Sequence, residues 1–309
     1  MTDPSDVNRH EDPAAVAAAA AAMGEAHLER GELDQAERFY RQAVESFGRA
    51  GDPPQTARAL ITLASILATA GRLDEAEESL GRAIDLLGEA REPDQLALAE
   101  YNLGSLRLAR QDLDQAEKLL GSCLRRFEQL QAPVQVADAA AQLAMVHLVR
   151  GDLRAADGLL RRAVGLSEGL GRANQAGPHY MALGQIAVGL ESLAEAETFF
   201  RKALDVYQTR GDEDGTAAAV DHLGIVCLAR GQAAGARKFL RQGLDIHRRA
   251  GRQEQVAGDY CNLGHAYRLE GRTAEAREAY LAGLEVADRH DLPAVQAKLN
   301  AGLGSLRER

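Results

Sequence analysis

The sequence repeats itself every 40 residues without an insertion or a deletion. The stretch from Asp259 to Val286 shows the repeating unit best. Its apolar residues recur at intervals of three and four on both sides of a break at Gly271, which predicts two amphipathic helices. Either helix alone would leave an apolar stripe in water. Stacking such pairs side by side buries both stripes, so the period predicts an array of helix pairs.

Columns of the repeat indicate how neighbouring helices interlock. One first-helix column is large and apolar: Met23, Leu63, Leu103, Leu143, Leu183, Leu223, Leu263 and Leu303. The residue after each of these is always Gly or Ala. The second helix has an all-Ala column from Ala36 to Ala276, followed four residues later by a large residue: Tyr40, Leu80, Leu120, Leu160, Phe200, Leu240 and Tyr280. Alternating small and large positions allow close helix packing.

This pattern resembles the tetratricopeptide repeat (TPR), which has an aromatic residue, Leu-Gly and Tyr in its first helix and Ala, Phe or Tyr, and Ala in its second. The best copy contains Tyr260, Leu263, Gly264, Tyr267, Ala276 and Tyr280. The 40-residue period exceeds the usual period of about 34. Together with the Asn-Leu-Gly sequences at 102–104 and 262–264, it looks like the Pins/LGN-like group of TPR proteins.

The resemblance covers roughly residues 14 to 308 and implies an all-α fold. We expect a right-handed superhelical α-solenoid of seven TPR-like helix pairs plus a C-terminal capping helix. The unbroken register predicts one solenoid over residues 13–309, preceded by a disordered tail at residues 1–12. Residues 294–309 repeat only a first helix and are expected to cover the open end of the array.

Helix ends have their own signals. Glycines expected to end second helices stand at Gly51, Gly171, Gly211 and Gly251, and prolines expected to begin first helices stand at Pro53, Pro93, Pro133 and Pro293. Asp34, followed by Glu37, predicts a capping box at the start of the second helix.

Two features interrupt this rhythm. Gly177 and Pro178 predict a late start or a bend near residues 171–192. Residues 211–215 predict an acidic loop. Together they would divide the solenoid after four units, through a hinge or a change of superhelical curvature, but surface variation without a structural effect is the favoured explanation.

Composition excludes several classes of protein. A formal net charge of −10 and an isoelectric point of about 5.4 argue against a nucleic-acid partner. No apolar run is long enough to span a membrane, and the acidic, polar N-terminus lacks the basic residues of a secretory or mitochondrial leader, so we expect a cytoplasmic protein. Cys123 replaces a small residue and is expected to be buried rather than reactive.

No catalytic motif stands out. A phosphate-binding glycine loop, a nucleophile elbow and a paired-His zinc motif are all missing from the sequence, so we expect neither an enzyme nor a cofactor.

In TPR proteins the first helices line a concave groove, and the resemblance assigns groove positions in this chain. The candidate peptide-binding residues are Asn102, Gln142, Gln185, Asp221, His222, Asn262, His265 and Arg268. A row of amide side chains offers donors and acceptors to the main chain of an extended peptide. His222 or His265 would add a modest pH dependence.

Two other interpretations of these residues stay open. A metal site made by Asp221, His222 and His265 is disfavoured because the spacing matches no known ligand motif. A solvated surface is the other interpretation. For the whole chain, the sequence favours a non-enzymatic adaptor that binds a protein or peptide, with a small-ligand or signal-peptide sensor and a self-assembling scaffold, hence a homo-oligomer, as the alternatives.

Overall fold

The computed structural model describes residues 12–90 and 92–306, which form fifteen α-helices, one short 3-10 helix and no strand. The helices follow one another in the order of seven pairs and a final single helix, as the repeat predicts. The fold is therefore an all-α helical repeat. Most of the predicted tail (residues 1–11) and the last residues of the predicted capping helix (307–309) lie outside the described residues.

The chain divides into two compact units, Met1–Asp152 and Leu153–Arg309. This boundary falls before the features at residues 177–178 and 211–215 from which a division was expected. The helices of the first unit are α1 (Pro13–Glu29), α2 (Leu33–Ala50), α3 (Pro53–Thr69), α4 (Leu73–Ala90), α5 (Pro93–Ala109), α6 (Leu113–Gln129) and α7 (Pro133–Arg150). Each packs against the next, and α5 also contacts α3 and α7.

The second unit contains the remaining eight α-helices. They are α8 (Leu153–Gly169), α9 (Gly177–Gly189), α10 (Leu193–Arg210), α11 (Glu213–Ala229), α12 (Ala233–Arg249), α13 (Gln253–Leu269), α14 (Thr273–Arg289) and α15 (Pro293–Gly304). Consecutive helices pack together here too, and α11 and α15 both also contact α13. Leu299 of α15 is fully buried in the cluster that closes this end.

The Gly/Ala column exists because large side chains from the paired helix lie directly on it. A Cβ atom added to Gly264 would be 2.3 Å from the Tyr280 ring, and one added to Gly184 would be 2.5 Å from the Phe200 ring. Both rings are fully buried. The small position on one helix and the large position sixteen residues later are thus one packing unit, repeated along the chain.

The predicted helix ends are confirmed. The glycines at 51, 171, 211 and 251 all adopt positive φ angles of about 70°, which an L side chain avoids. Helices α3, α5, α7 and α15 all have proline in the first turn. These residues leave connections of only two or three residues between most helices.

The predicted irregularity at Gly177 and Pro178 is also present. A 3-10 helix, Ala173–Gln175, occupies the register at which other first helices begin, and α9 starts at Gly177. Pro178 lies in its first turn. A Cβ on Gly177 would be 2.9 Å from the Tyr207 ring, so the glycine also permits close packing on α10.

The acidic segment at residues 211–215 is not the loop that its composition suggests. Helix α11 begins at Glu213, and the Asp212 carboxylate accepts a hydrogen bond from the Gly215 amide at 2.8 Å. This is an N-terminal cap. The acidic residues are therefore first-turn helical residues, a position that the helix dipole favours.

The capping-box prediction for the second helices is wrong. Helix α2 begins at Leu33, one residue before Asp34, and its N-cap residue Glu32 makes no side-chain cap. Glu37 instead accepts a hydrogen bond from Arg72 at 2.7 Å. The next two pairs repeat this contact, with Arg110 donating to Glu77 at 2.9 Å and Arg150 donating to Glu117 at 2.6 Å. These acidic residues link successive pairs rather than cap helices.

Cys123, Cys227 and Cys261 are all buried and free, as expected for Cys123 from its small column. Burial raises the pKa of the Cys123 thiol to about 12 and so keeps it protonated at neutral pH. In the described part of the chain, no helix is long and apolar enough to cross a membrane.

Candidate functional site

The eight predicted groove residues are distributed over five first helices in two units. Asn102 on α5 and Gln142 on α7 belong to the first unit, and both are half-buried. Gln142 hydrogen-bonds to Tyr101, which opposes the burial-driven rise of the Tyr101 pKa. Part of its hydrogen-bonding capacity is therefore already used within the unit. The remaining six candidates lie on α9, α11 and α13 of the second unit.

Gln185 and His222 come together from adjacent first helices. The Gln185 amide nitrogen lies 3.4 Å from Nε2 of His222, and the imidazole ring stacks on the Phe200 ring with centroids 4.8 Å apart and planes within 6°. Burial lowers the pKa of His222. A neutral imidazole with an unprotonated Nε2 can accept the amide hydrogen, so the contact and the pKa direction agree.

His265 and Arg268 form a second local group, on α13. The His265 ring meets the fully buried Tyr280 ring edge to face, with centroids 5.6 Å apart and an interplanar angle of 70°. Burial lowers the pKa of His265, and the charge of Arg268 lowers it further. Burial raises the pKa of Tyr280, and Arg268 opposes that rise. Arg268 acts on Tyr280 through a side-chain hydrogen-bonding contribution as well as its charge, and on His265 through its charge.

Arg268 is unusual in its column. The equivalent residues of preceding repeats are Leu28, Ala68, Leu108, Leu148, Val188 and Leu228. In the described residues, its buried Nε has no hydrogen-bond partner. A buried guanidinium nitrogen without an acceptor costs free energy, so this side chain has capacity for an additional acceptor.

Exposed apolar side chains lie on the same helices as these polar groups. Ile225 is one helical turn after His222 on α11 and is 49% exposed. Val188 on α9 and Leu269 on α13 are exposed as well. We call Gln185, His222, Ile225, Asn262, His265 and Arg268 the first-helix patch. It combines amide, imidazole, cationic and apolar groups.

Asp221 does not belong to this patch, contrary to the sequence-based assignment. Consecutive helical residues project about 100° apart, and Asp221 turns away from the neighbouring His222 towards α12. One of its carboxylate oxygens lies 3.5 Å from Nε2 of His247. The metal site considered from Asp221, His222 and His265 is therefore not assembled as a unit.

The Asp221 carboxylate is part of a three-residue cluster that connects α11, α12 and α13. His247 Nδ1 lies 2.8 Å from a carboxylate oxygen of Asp259, on the opposite side of the ring from Asp221. The His247 and Asp259 side chains are only 3% and 5% exposed, whereas Asp221 is 32% exposed. Burial raises the pKa of Asp221 and of Asp259, each to about 7.

Sequence reasoning missed His247 and Asp259, although the columns contained a signal. The equivalents of His247 in other second helices include Phe47, Leu87, Phe127 and Tyr207, all buried. The equivalents of Asp259 include Ala59, Ala99, Ala139 and Ala219, also buried. His247 and Asp259, twelve residues apart, replace residues that are apolar in most other copies, and this departure from the repeat was detectable; the copy with Ser167 and His179 is polar at both positions as well.

The geometry described above defines a helical-repeat protein with polar and apolar groups displayed along its first helices. Residues 8–171, just over half of the chain, match the family model of the MalT-like TPR region. Residues 175–249 and 216–289 match the tetratricopeptide repeat model. The chain belongs to the MalT-like TPR family of tetratricopeptide-repeat proteins. Both matching models describe tetratricopeptide repeats, and neither names an enzymatic family.

Solved structures support the fold. The apo form of RapI has 13% sequence identity and a TM-score of 0.65, with coverage of 89% of this chain and 98% of that protein. BtubC (BKLC) from P. vanneervenii has 19% identity and a TM-score of 0.58, with coverage of 71% and 92%.

A third similar structure is a signal-transduction ATPase with numerous domains (STAND) and a tetratricopeptide repeat sensor, from Pyrococcus horikoshii. It has 14% identity and a TM-score of 0.74. The alignment covers 92% of this chain but only 44% of that protein, so this chain corresponds to less than half of the ATPase. No curated protein sequence matches this chain significantly.

Proposed function

We propose that this protein is a non-enzymatic, cytoplasmic adaptor that holds an extended segment of a partner protein along the first-helix patch. Membership of the TPR family supports an interaction scaffold. The 40-residue period and the Asn-Leu-Gly sequences further favour the Pins/LGN-like group. The specific role of the patch is supported by its own chemistry.

The unpartnered Nε of Arg268 is the observation that carries the proposal. Arg268 replaces a residue that is Leu, Val or Ala in the other repeats, so helix packing does not require a charge here. The side chain as a whole is only half-buried, so a peptide carbonyl or carboxylate can accept hydrogen bonds from the exposed part of the guanidinium and offset the cost of burying it. Asn262, six residues earlier and half-buried on the same helix, adds amide donors and an acceptor that suit a peptide main chain.

Exposed apolar side chains in the patch and beside it offer a partner apolar contacts in addition to hydrogen bonds. Ile225 and Leu269 are 49% and 50% exposed on neighbouring first helices. Covering them with a partner's apolar side chains would remove apolar surface from water, which favours binding by about 25 cal/mol for each Å² buried. Because the helices are already ordered, the partner segment bears most of the entropy cost of binding.

A second surface of the same unit offers a matched control. A cleft of about 690 Å³ lies between second helices α10 and α12, lined among others by Gln208, Lys238 and Gln242. This cleft is lined mainly by polar and charged side chains. Among the described residues, Glu213 and Thr216, in the first turn of α11, are its only lining residues on a first helix, and neither belongs to the patch. Alanine substitutions there alter a similar number of surface side chains without touching the patch.

The test compares three proteins as baits in the native lysate, with quantification by mass spectrometry. They are the unchanged chain, a patch variant (Gln185→Ala, Asn262→Ala, Arg268→Ala) and a cleft variant (Gln208→Ala, Lys238→Ala, Gln242→Ala). The proposal predicts a partner that is retained by the cleft variant and lost from the patch variant. A partner lost only from the cleft variant would place binding on the second helices and contradict the proposal.

The sensor and self-assembly alternatives give different results. A sensing scaffold would reduce its radius of gyration when a small ligand or signal peptide binds. A self-assembling scaffold would show a concentration-dependent mass in light scattering. The proposed adaptor does neither.

A further inference from the structure

The cluster of Asp221, His247 and Asp259 is a set of coordinated departures from the repeat. In most other copies of the repeat the position of His247 is aromatic or aliphatic and the position of Asp259 is Ala; the copy with Ser167 and His179 is the exception. Burying two carboxylates and an imidazole is costly unless they are paired or bind a cation. The cluster is therefore not a by-product of packing the repeat.

The two sides of the His247 ring differ. The Nδ1 side is 2.8 Å from Asp259, the distance of a good hydrogen bond. The Nε2 side is 3.5 Å from Asp221, beyond the usual range for such a bond. The other oxygen of Asp221, Oδ1, is buried and makes no hydrogen bond among the described groups. One side of the ring is held, whereas the other side has unused ligand capacity.

This asymmetry matches the way proteins hold a metal-binding histidine. The nitrogen that does not bind the metal donates to a carboxylate, which fixes the ring and its tautomer. Asp259 is placed for that role. Two ligands about 2.0–2.2 Å from one ion and separated by a tetrahedral angle lie roughly 3.3–3.6 Å apart. The gap of 3.5 Å between Nε2 and Asp221 fits such a pair.

Gly243 makes room for this arrangement. A Cβ atom at this position would be 2.7 Å from Oδ1 of Asp221 and 3.7 Å from Oδ1 of Asp259. The equivalent residues of the preceding repeats are Ala43, Ala83, Cys123, Ala163 and Ala203. Alanine therefore fits the helix packing in those repeats, whereas at Gly243 an alanine Cβ would crowd the Asp221 carboxylate.

Access and charge also favour a cation. Asp221 is 32% exposed, so water can complete the coordination on its side while His247 and Asp259 stay buried. A bound divalent ion would stabilise the ionised form of both carboxylates, which burial otherwise disfavours. The nearby Arg252 contributes an opposing charge that lowers the pKa of Asp221, but its guanidinium is already paired with Asp214.

We propose that Asp221 and His247 bind a divalent transition-metal ion of the zinc class, with Asp259 holding the imidazole from behind. The ligand atoms available from the three residues all lie within 4.8 Å of one another. A mixed imidazole and carboxylate set favours Zn²⁺ or Co²⁺ over Ca²⁺ and Mg²⁺, which prefer all-oxygen ligands. This site is independent of the peptide binding proposed above, because it uses none of the patch side chains.

The experiment is a titration of the full chain, first freed of metal by a chelator, with Co²⁺ followed by visible absorption and with Zn²⁺ followed by calorimetry. Asp221→Asn keeps the shape of a partly exposed side chain but removes a strong ligand. Gly243→Ala places a Cβ atom against the Asp221 carboxylate. Because several other repeats have alanine at this position, we expect this variant to fold. His290→Gln, at an exposed histidine, is the matched control.

We expect one ion per chain, with Co²⁺ bands characteristic of nitrogen and oxygen ligands. Affinity should fall at least tenfold in Asp221→Asn and Gly243→Ala and should be unchanged in His290→Gln. Asp259→Asn should weaken binding by about 10–100-fold, the usual effect of losing the carboxylate behind a metal-binding histidine. Circular dichroism of each variant confirms that helicity is retained.

Two results would overturn the proposal. One is no saturable binding of either ion up to millimolar concentration. The other is binding that Asp221→Asn and Gly243→Ala leave unchanged, which would locate the ion on other side chains.

Discussion

The imidazole of His247 on α12 is held at 2.8 Å by the carboxylate of Asp259 on α13, and both side chains are at least 95% buried. This contact joins two helices through polar groups at positions where most other repeats have apolar residues. A buried polar pair of this kind contributes little net stability when intact but is costly when one partner is removed.

Removing His247 alone should therefore be much more harmful than replacing the whole cluster. His247→Phe leaves the buried Asp259 carboxylate without its donor, and we expect a loss of about 3–5 kcal/mol of unfolding free energy. The triple change His247→Phe, Asp259→Ala, Asp221→Ala restores the apolar columns and should be neutral or stabilising by about 1–4 kcal/mol. Urea unfolding of metal-free protein measures both. A triple variant less stable than the single variant would show that the cluster stabilises the fold.

Lowering the pH should destabilise the folded protein, because it protonates His222 and His265 of the patch. Burial lowers the pKa of His222 and of His265 below the ordinary value of 6.5. The folded state therefore favours the neutral rings, and the unfolded state binds protons first as pH falls. Their contribution to stability is complete above pH 6.5 and is lost as pH falls through the lowered folded-state pKa values.

The double variant His222→Gln, His265→Gln should show a smaller decrease of the urea midpoint between pH 7.5 and pH 5 than the unchanged chain. The comparison uses the slope with pH, because the substitutions also alter contacts with the rings of Phe200 and Tyr280. Equal slopes would mean that neither histidine is kept neutral by the fold.

The stability of the first unit should fall when a charge replaces a buried residue of the Leu column, but not when it replaces an exposed residue of the same helix. Leu143 on α7 is 8% exposed, whereas Met145 on the same helix is 42% exposed. Leu143→Asp places a carboxylate among apolar side chains, and we expect a loss of more than about 3 kcal/mol. Met145→Asp should change stability by less than about 0.5 kcal/mol. Thermal melting followed by circular dichroism distinguishes the two, and similar losses would refute the assignment of faces on α7.

Glycine substitutions should have opposite signs at two helical positions. Gly264→Ala brings a Cβ to 2.3 Å from the buried Tyr280 ring and should destabilise the protein by about 1–3 kcal/mol. Gly81 on α4 has no atom within 4 Å of an added Cβ. Gly81→Ala should stabilise by about 0.5–1 kcal/mol, because alanine has the higher helix propensity. Denaturant midpoints measure the difference, and a stabilising Gly264→Ala would contradict the ring contact.

The repeat columns predicted the helix pairs, their ends and the close approach of large to small residues. This succeeded because every repeat solves the same packing problem, so one register reports on all of them. The late start of α9 was predictable for the same reason, since Gly177 and Pro178 stand where other copies are already helical. The acidic residues of the second helices were misassigned because a capping motif and an ion pair with the next repeat have the same composition.

The candidate site was less predictable. Periodicity placed His222, Asn262 and His265 on first helices, but it did not show that Asp221 turns towards α12. Nor did it reveal the contact between His247 and Asp259, which depends on how three helices meet. Sequence reasoning did not search the columns for departures: Arg268, His247 and Asp259 all stand where most other repeats have apolar residues.

The central claim, that the first-helix patch binds a partner segment, is tested most directly by site-specific photo-crosslinking. A photoreactive phenylalanine analogue replaces Ile225 in the patch or, as the control, Leu281 on α14; the two side chains are 49% and 51% exposed. After irradiation in the native lysate, cross-linked peptides are identified by mass spectrometry. We predict one partner segment attached at position 225 and absent from position 281. Equal labelling at both positions, or a specific partner only at 281, would contradict the account.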